Sequence, residues 1–175
     1  MTLAIDMIGT RLGSGTRTYN LNFCEHLNKI KLNKKINIFI TKDYFNNIGI
    51  TQNPNITYIV KSTLLTNTFL RIIWMQFCLP FELKKLKVSQ LYSPMNIGPI
   101  FLRLFNIKFT LALHSNLPWV YFFKMPGNLF RNTFTKFMMQ FSILACDSLI
   151  VDSEFAKNEI VALLKINRNK VFVIY

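Results

Sequence analysis

Acidic residues are scarce in this sequence: 8 Asp and Glu stand against 21 Lys and Arg, a formal net charge of +13. The few acids are scattered, and Asp6, Asp147 and Asp152 make no pair of the sort used in two-carboxylate acid–base chemistry. There is no G-x-x-x-x-G-K-[ST] loop, no nucleophile elbow in a Ser-His-Asp order and no zinc-ligand spacing, so those chemistries drop out. Only three cysteines occur. Cys24, Cys78 and Cys146 form no C-x-x-C pair, and each falls in an apolar helical stretch. They read as small buried hydrophobes in a reducing compartment. No stretch reaches the ~20 uncharged apolar residues of a membrane span. The most apolar region, 97–123, is interrupted by Arg103, Lys108, His114 and Pro118. The first ten residues lack a basic segment and hold Asp6 inside their apolar run, unlike a secretory signal. The expectation is a soluble or peripheral cytoplasmic protein.

What is present is a large apolar fraction, 51%, with 17 Phe. A chain of this length buries ~70% of its unfolded surface when it folds as one domain, and this composition excludes disorder. The positive charge attracts polyanions such as nucleic acid, acidic membrane or phosphorylated ligands. Lys, Asn, Ile and Phe are all frequent, as biased codon usage also produces, so a solvated basic surface is an equal reading.

Short apolar runs alternate with segments of helical period. Residues 3–8, 36–41, 55–60, 89–93, 109–113, 148–151 and 171–174 read as strands. A helix follows the first of them, with Tyr19, Phe23, Cys24, Leu27 and Ile30 at helical spacing. A second, from Thr66 or Asn67, is expected to bury Phe69, Ile72, Ile73, Gln76 and Phe77 and to kink or split at Pro80. A third, over 129–145, is expected to turn Phe130, Phe134, Phe137, Met138, Phe141, Leu144 and Ala145 inward, with Arg131 and Lys136 opposite. A fourth starts at Asp152 or Ser153, with Ala156, Ile160, Leu163 and Leu164 facing inward. This order implies an α/β fold: a doubly wound, mainly parallel sheet flanked by helices. Such sheets bind ligands beyond the carboxyl ends of their strands. That rule selects residues 13–16, 94–96, 114–116 and 152–153.

Gly13, Ser14 and Gly15 lie between a strand and a helix start, where backbone N–H groups and the helix dipole favour a phosphate. Thr18 stands where a dinucleotide fingerprint has its third glycine, and an ordinary tight turn explains the loop as well. His114, at the end of a buried strand, suits a sugar hydroxyl contact or general acid–base work. His26 falls on an exposed helix side. Ser153 reads as a helix cap or a ligand contact. Arg17 and Tyr19 open the first helix, and Arg17 reads equally as a phosphate contact or a solvated cation. Asn96 closes the 94–96 turn.

Five segments in order carry a resemblance over nearly the whole chain. They are Gly13-Ser14-Gly15-Thr16-Arg17-Thr18-Tyr19-Asn20-Leu21; Arg71, Trp74, Gln76, Leu79 and Pro80; Ser93, Pro94, Asn96, Gly98 and Pro99; His114-Ser115; and Asp147, Ile150, Ser153, Phe155 and Lys157. In these the chain resembles the amino-terminal half of the family-4 retaining glycosyltransferases of GT-B fold. The resemblance implies one Rossmann-like domain over 1–175, half of a GT-B fold, with the donor-binding domain absent from the chain. It implies transfer of a sugar from a nucleotide diphosphate sugar to a saccharide or lipid-linked acceptor, with no other cofactor and no metal. His114 would contact the transferred sugar as the catalytic-site residue. Gly13, Ser14, Gly15, Arg17, Tyr19, Asn96 and Ser153 would border substrate or phosphate. Ser115 stands where the family has an acid after the histidine. The groups that stabilise the leaving diphosphate would lie in the missing half, so the chain alone is expected to show little or no transfer. Three other readings compete: a non-catalytic binding subunit paired with a separate donor-domain polypeptide, a basic nucleic-acid-binding domain, and a peripheral protein resting on anionic membrane through residues 65–87 or 119–137. The nucleic-acid reading ranks below the transferase because no RNA or DNA motif occurs.

Overall fold

The computed structural model describes residues 2–10, 15–45, 53–120, 122–124 and 127–174. Seven strands form one sheet: β1 (Thr2–Asp6), β2 (Ile36–Thr41), β3 (Ile56–Lys61), β4 (Val88–Ser93), β5 (Lys108–Leu113), β6 (Ser148–Val151) and β7 (Val171–Val173). All neighbours are parallel, in the order β3-β2-β1-β4-β5-β6-β7. Each is a short apolar run between turn residues, and the expected and observed bounds differ by two residues at most. The helices are α1 (Gly15–Lys29), α2 (Lys42–Phe45), α3 (Thr68–Ile73), α4 (Leu79–Lys85), α5 (Leu117–Val120), α6 (Leu129–Ala145) and α7 (Glu154–Leu164).

The order reverses between β1 and β4, and right-handed crossovers then place helices on opposite faces of the two halves. Accordingly there are two cores. Ile5, Met7, Ile36 and Ile38 pack with Cys24, Phe23 and Leu27 of α1 on one face. On the other face, Leu79, Leu83, Ile143 and Ile160 pack over Phe109, Leu111, Leu149 and Val171.

The expected inward sides of two helices hold only in part: Met138, Ile72 and Gln76 are buried and Phe134 packs on the core, but most of the phenylalanines are not. Along α6 the buried residues are Asn132, Met138, Met139, Ser142 and Ile143. Phe130 is 81% exposed and Phe137 51%, and Phe141 and Leu144 are exposed as well. Along α3 and α4 the sheet takes Ile72, Trp74, Met75, Gln76, Leu79 and Leu83, while Phe69, Ile73, Phe77 and Phe81 face out. Two causes are visible. Apolar residues ring both helices, so period alone does not choose a side, and the sheet takes the side that fits. Between α3 and α4, Trp74–Cys78 is a π turn in which Leu79 N–H bonds Trp74 O. That widened turn precedes Pro80, which lacks a donor, and it shifts every spacing counted across it. It also turns Cys78 outward, contrary to the expectation of burial; Cys24 and Cys146 are buried. On α7, Ile160 is buried as expected, but Leu163 is exposed.

The two helices are tied at one point. Gln76 Nε2 donates to Gly98 O at 3.3 Å and Gln76 Oε1 accepts from Ile100 N–H at 2.9 Å. Ser142 Oγ of α6 accepts from Gly98 N–H at 3.0 Å. A side chain at position 98 would collide with the Phe109 ring, its Cβ falling 2.1 Å from Cζ. No helix among the described residues is long and apolar enough to cross a membrane.

Candidate functional site

At the carboxyl end of β1, Asp6 is fully buried and its Oδ1 accepts from Ile8 N–H at 3.1 Å. Burial pushes its carboxyl up to about 6, opposed by that bond and by the Arg71 charge. Gly9 follows in the left-handed region, φ +98, and the Arg71 guanidinium of α3 fills the space a Cβ there would need. Thr10 Oγ donates to Met7 O at 2.7 Å and accepts from the buried Asn20 of α1 at 2.7 Å.

The chain re-enters at α1. Gly15 faces open space, with nothing within 4 Å of a Cβ built there. One turn on, the Tyr19 hydroxyl lies 2.7 Å from that of Tyr92 on β4. The Tyr19 ring stands 4.7 Å from the His114 ring at a 57° tilt. Burial, with the Tyr19 hydrogen bond, pushes the Tyr92 phenol far up, so it stays a neutral hydroxyl. Arg17 is half-buried, and its charge opposes the burial that raises the Tyr44 phenol of α2.

Past β4, Asn96 takes a left-handed backbone, φ +59, which asparagine tolerates. Its N–H donates to Ala112 O at 3.2 Å and its Oδ1 accepts from His114 N–H at 2.7 Å. It thereby fixes the backbone from which the imidazole projects. His114 follows β5, is 18% exposed, and places Nδ1 3.4 Å from Oδ1 of Asp152, the residue after β6. Nε2 is buried with no partner among the described residues. Nδ1 thus faces the carboxylate, and Nε2 is left as an unpartnered buried polar atom in the wall of the site. Ser115 Oγ accepts from Leu117 N–H at 3.2 Å, and Asn116 bonds Glu159. Ser153 Oγ accepts from Ala156 N–H at 3.1 Å and so caps α7.

Three adjoining cavities share His114 as a wall. One of about 330 Å³ is lined by Gly15, Thr16, Tyr19, Asn96, His114 and Ser115. Another of about 250 Å³ includes Ser115, Asn116, Asp152, Ser153 and Phe155. The largest, about 600 Å³, runs from Tyr19, Phe23 and Tyr92 to Ile150, Asp152 and Ile174. That last space is the open side of the sheet rather than a closed pocket, since Phe172 and Ile174 of the β7 region are half exposed. The structure thus gathers Gly15, Tyr19, Asn96, His114 and Ser153 at one rim, and Arg17 is not among the residues lining the three cavities. Gly13 and Ser14 lie outside the described residues. Sequence reasoning missed Tyr92, Asp152 as a partner of His114, and Arg71. Asp152 had a usable signal, since it occupies after β6 the place that His114 occupies after β5. Among the described residues no group of three or more His, Cys, Asp or Glu is placed to hold a metal ion.

No family model and no curated protein matches the sequence. Solved structures do. The lipopolysaccharide outer core galactosyltransferase WaaB in its apo form matches 100% of this chain at TM-score 0.55 and 14% identity. The UDP-GlcNAc 2-epimerase of Methanocaldococcus jannaschii matches 99% at TM-score 0.57 and 19% identity. UGT89C1 of Arabidopsis thaliana, complexed with quercetin, matches 99% at TM-score 0.53 and 10% identity. The chain spans about half of each of these proteins, 45%, 45% and 49% of their lengths. Its fold is Rossmann-like α/β, that of one half of these GT-B proteins.

Proposed function

We propose that this chain is the acceptor-side half of a nucleotide-sugar-dependent glycosyltransferase of retaining type, with a saccharide or lipid-linked acceptor. The observation that carries the reading is the meeting of three cavities on His114 at the strand-end rim, beside the point where strand order reverses. The fold shared with a galactosyltransferase and a UDP-GlcNAc epimerase supports a sugar nucleotide over other ligands. In this reading the His114 ring lines the place of the sugar, and Asp152 holds the imidazole through Nδ1. The Tyr19 and Tyr92 rings offer an apolar wall to a sugar ring. Expulsion of a nucleoside diphosphate needs positive charge or N–H donors where negative charge develops. In this reading a separate donor-binding domain supplies most of those donors. The reading calls for no cofactor besides the nucleotide diphosphate sugar.

Two measurements on the labelled chain test this. NMR titration with a panel of sugar nucleotides and free sugars is expected to shift the His114 ring and Tyr19, and His114→Ala to abolish the response. Absence of any shift at that rim across the panel overturns the site. A turnover assay with the same panel is expected to give no steady transfer. Sustained transfer by this chain overturns the need for a second domain.

A further inference from the structure

The two edges of the sheet are guarded differently. An unpaired edge strand offers free peptide groups to another chain, and proteins blunt it by shortness, lysine, proline or a bulge. β7 is only three residues long and follows Arg168 and Lys170. β3 is six residues long, Ile-Thr-Tyr-Ile-Val-Lys, and pairs with β2 in unbroken register. Its one lysine does not guard the edge. Lys61 Nζ is paired with Glu82 at 2.6 Å and lies 5.9 Å from the centroids of the Phe39 and Trp74 rings. Pro54 stands before the strand, so the open edge begins after it. Ile36 N–H donates to Asn55 O at 2.9 Å, and in a parallel ladder residues 55, 57, 59 and 61 then turn their peptide groups to β2. The peptide groups of Tyr58 and Val60 and the carbonyl of Ile56 turn the other way, where no strand lies among the described residues. Ile56 N–H is taken, donating to Asn53 O at 3.0 Å.

Charge and symmetry select the occupant. Residues 44–60 hold no Asp, Glu, Lys, Arg or His, the longest such run in a chain of net charge +13. Like charge opposes a second copy over most of the molecule and opposes it least here. The outward groups are also arranged evenly about Tyr58, so the edge is complementary to itself when reversed. We propose that two copies of this chain pair β3 with β3, antiparallel about a two-fold axis, joining their two seven-stranded sheets into one. Tyr58 lies at the axis and exchanges both peptide hydrogen bonds with the partner's Tyr58, while Val60 N–H donates to the carbonyl of the partner's Ile56. The Val60 side chain, 42% exposed in the single chain, then packs beside the partner's Ile56. The contact uses the same patch on both copies and closes at two. It is independent of the transferase reading, since no residue of the His114 rim takes part and the two rims face opposite ends of the joined sheet.

Sedimentation equilibrium of the full chain tests it. A monomer–dimer equilibrium is expected, tightened by salt, which screens the repulsion between two chains of net charge +13. Val60→Lys places a cation on the outward edge at an exposed position and is expected to raise the dimer dissociation constant at least about tenfold. Hydrogen exchange of the wild-type chain depends on no variant folding. Raising the concentration is expected to slow the amides of Tyr58 and Val60 at least about tenfold and to leave those of β7 unchanged. The proposal is overturned by a chain that stays monomeric at every concentration, by growth beyond the dimer, or by a dimer that salt dissolves. It is equally overturned by a dimer constant unchanged in Val60→Lys, or by dimers in which the Tyr58 and Val60 amides exchange as in the monomer. Protection confined to residues 68–85 and 129–145 would assign the contact to the outer phenylalanines instead and overturn it as well.

Discussion

On α6 the side turned to the sheet carries Asn132, Met138, Met139, Ser142 and Ile143, while the side turned away carries Phe130, Phe137, Phe141 and Leu144. The π turn and its flanking helices divide in the same way, Met75, Gln76 and Leu79 inward against Phe77 and Phe81 outward. By hydrophobicity alone the outer sides are the better core. The inner sides win because they fit: flexible methionines fill the irregular gap over the sheet, and two polar side chains satisfy the peptide groups of the Gly98 loop. Burial in this layer is decided by shape and hydrogen bonding, and the surplus of phenylalanine is left for another contact.

If that contrast is right, truncation inside should cost far more than truncation outside. Leu83→Ala and Ile143→Ala, both at fully buried positions, are expected to destabilise the chain by about 2–5 kcal/mol in urea unfolding, with an unchanged slope. A loss under about 1 kcal/mol at both would mean the inner side is not close-packed. Next in size is the one buried carboxylate of β1. The folded pKa of Asp6 is raised from 3.8 to about 6, so its contribution is fully present below about pH 4 and is lost as pH rises through 6. The loss is expected to be about 3 kcal/mol between those limits, and Asp6→Asn should flatten the curve there. A wild-type curve already flat over that window would place Asp6 in contact with water.

Ser142→Ala and Gln76→Leu come third. Each strips partners from the Gly98 loop and is expected to cost about 1–3 kcal/mol. The smallest effect is predicted on the outer side, where Phe77→Ser and Phe137→Ser should each change stability by no more than about 0.5 kcal/mol. A larger loss there would show those rings to be packed in solution, erasing the distinction between the two sides.

The strands were legible in the sequence because each is a short apolar run cut off by Gly, Pro, Asn or Asp, and the alternation with helices then made the sheet parallel. The rim positions of Gly15, Asn96 and His114 followed, since a strand's end locates whatever comes after it. Helix facing was not legible, because residues 68–85 and 129–145 are apolar all round and a π turn hides inside the first. The pairing of His114 with Asp152 needs β5 and β6 to be neighbours in register, which no local pattern states. The fit of Arg71 over Gly9 depends on crossovers that bring distant segments together.

One short turn links the two regions. Asn96 holds the amide of His114, and two residues later Gly98 is clamped by both helices. A tether of two residues, one of them locked in a left-handed backbone, has almost no slack of its own. A shift of the helical layer at Gly98 therefore has a path of only two residues to the seat of the imidazole.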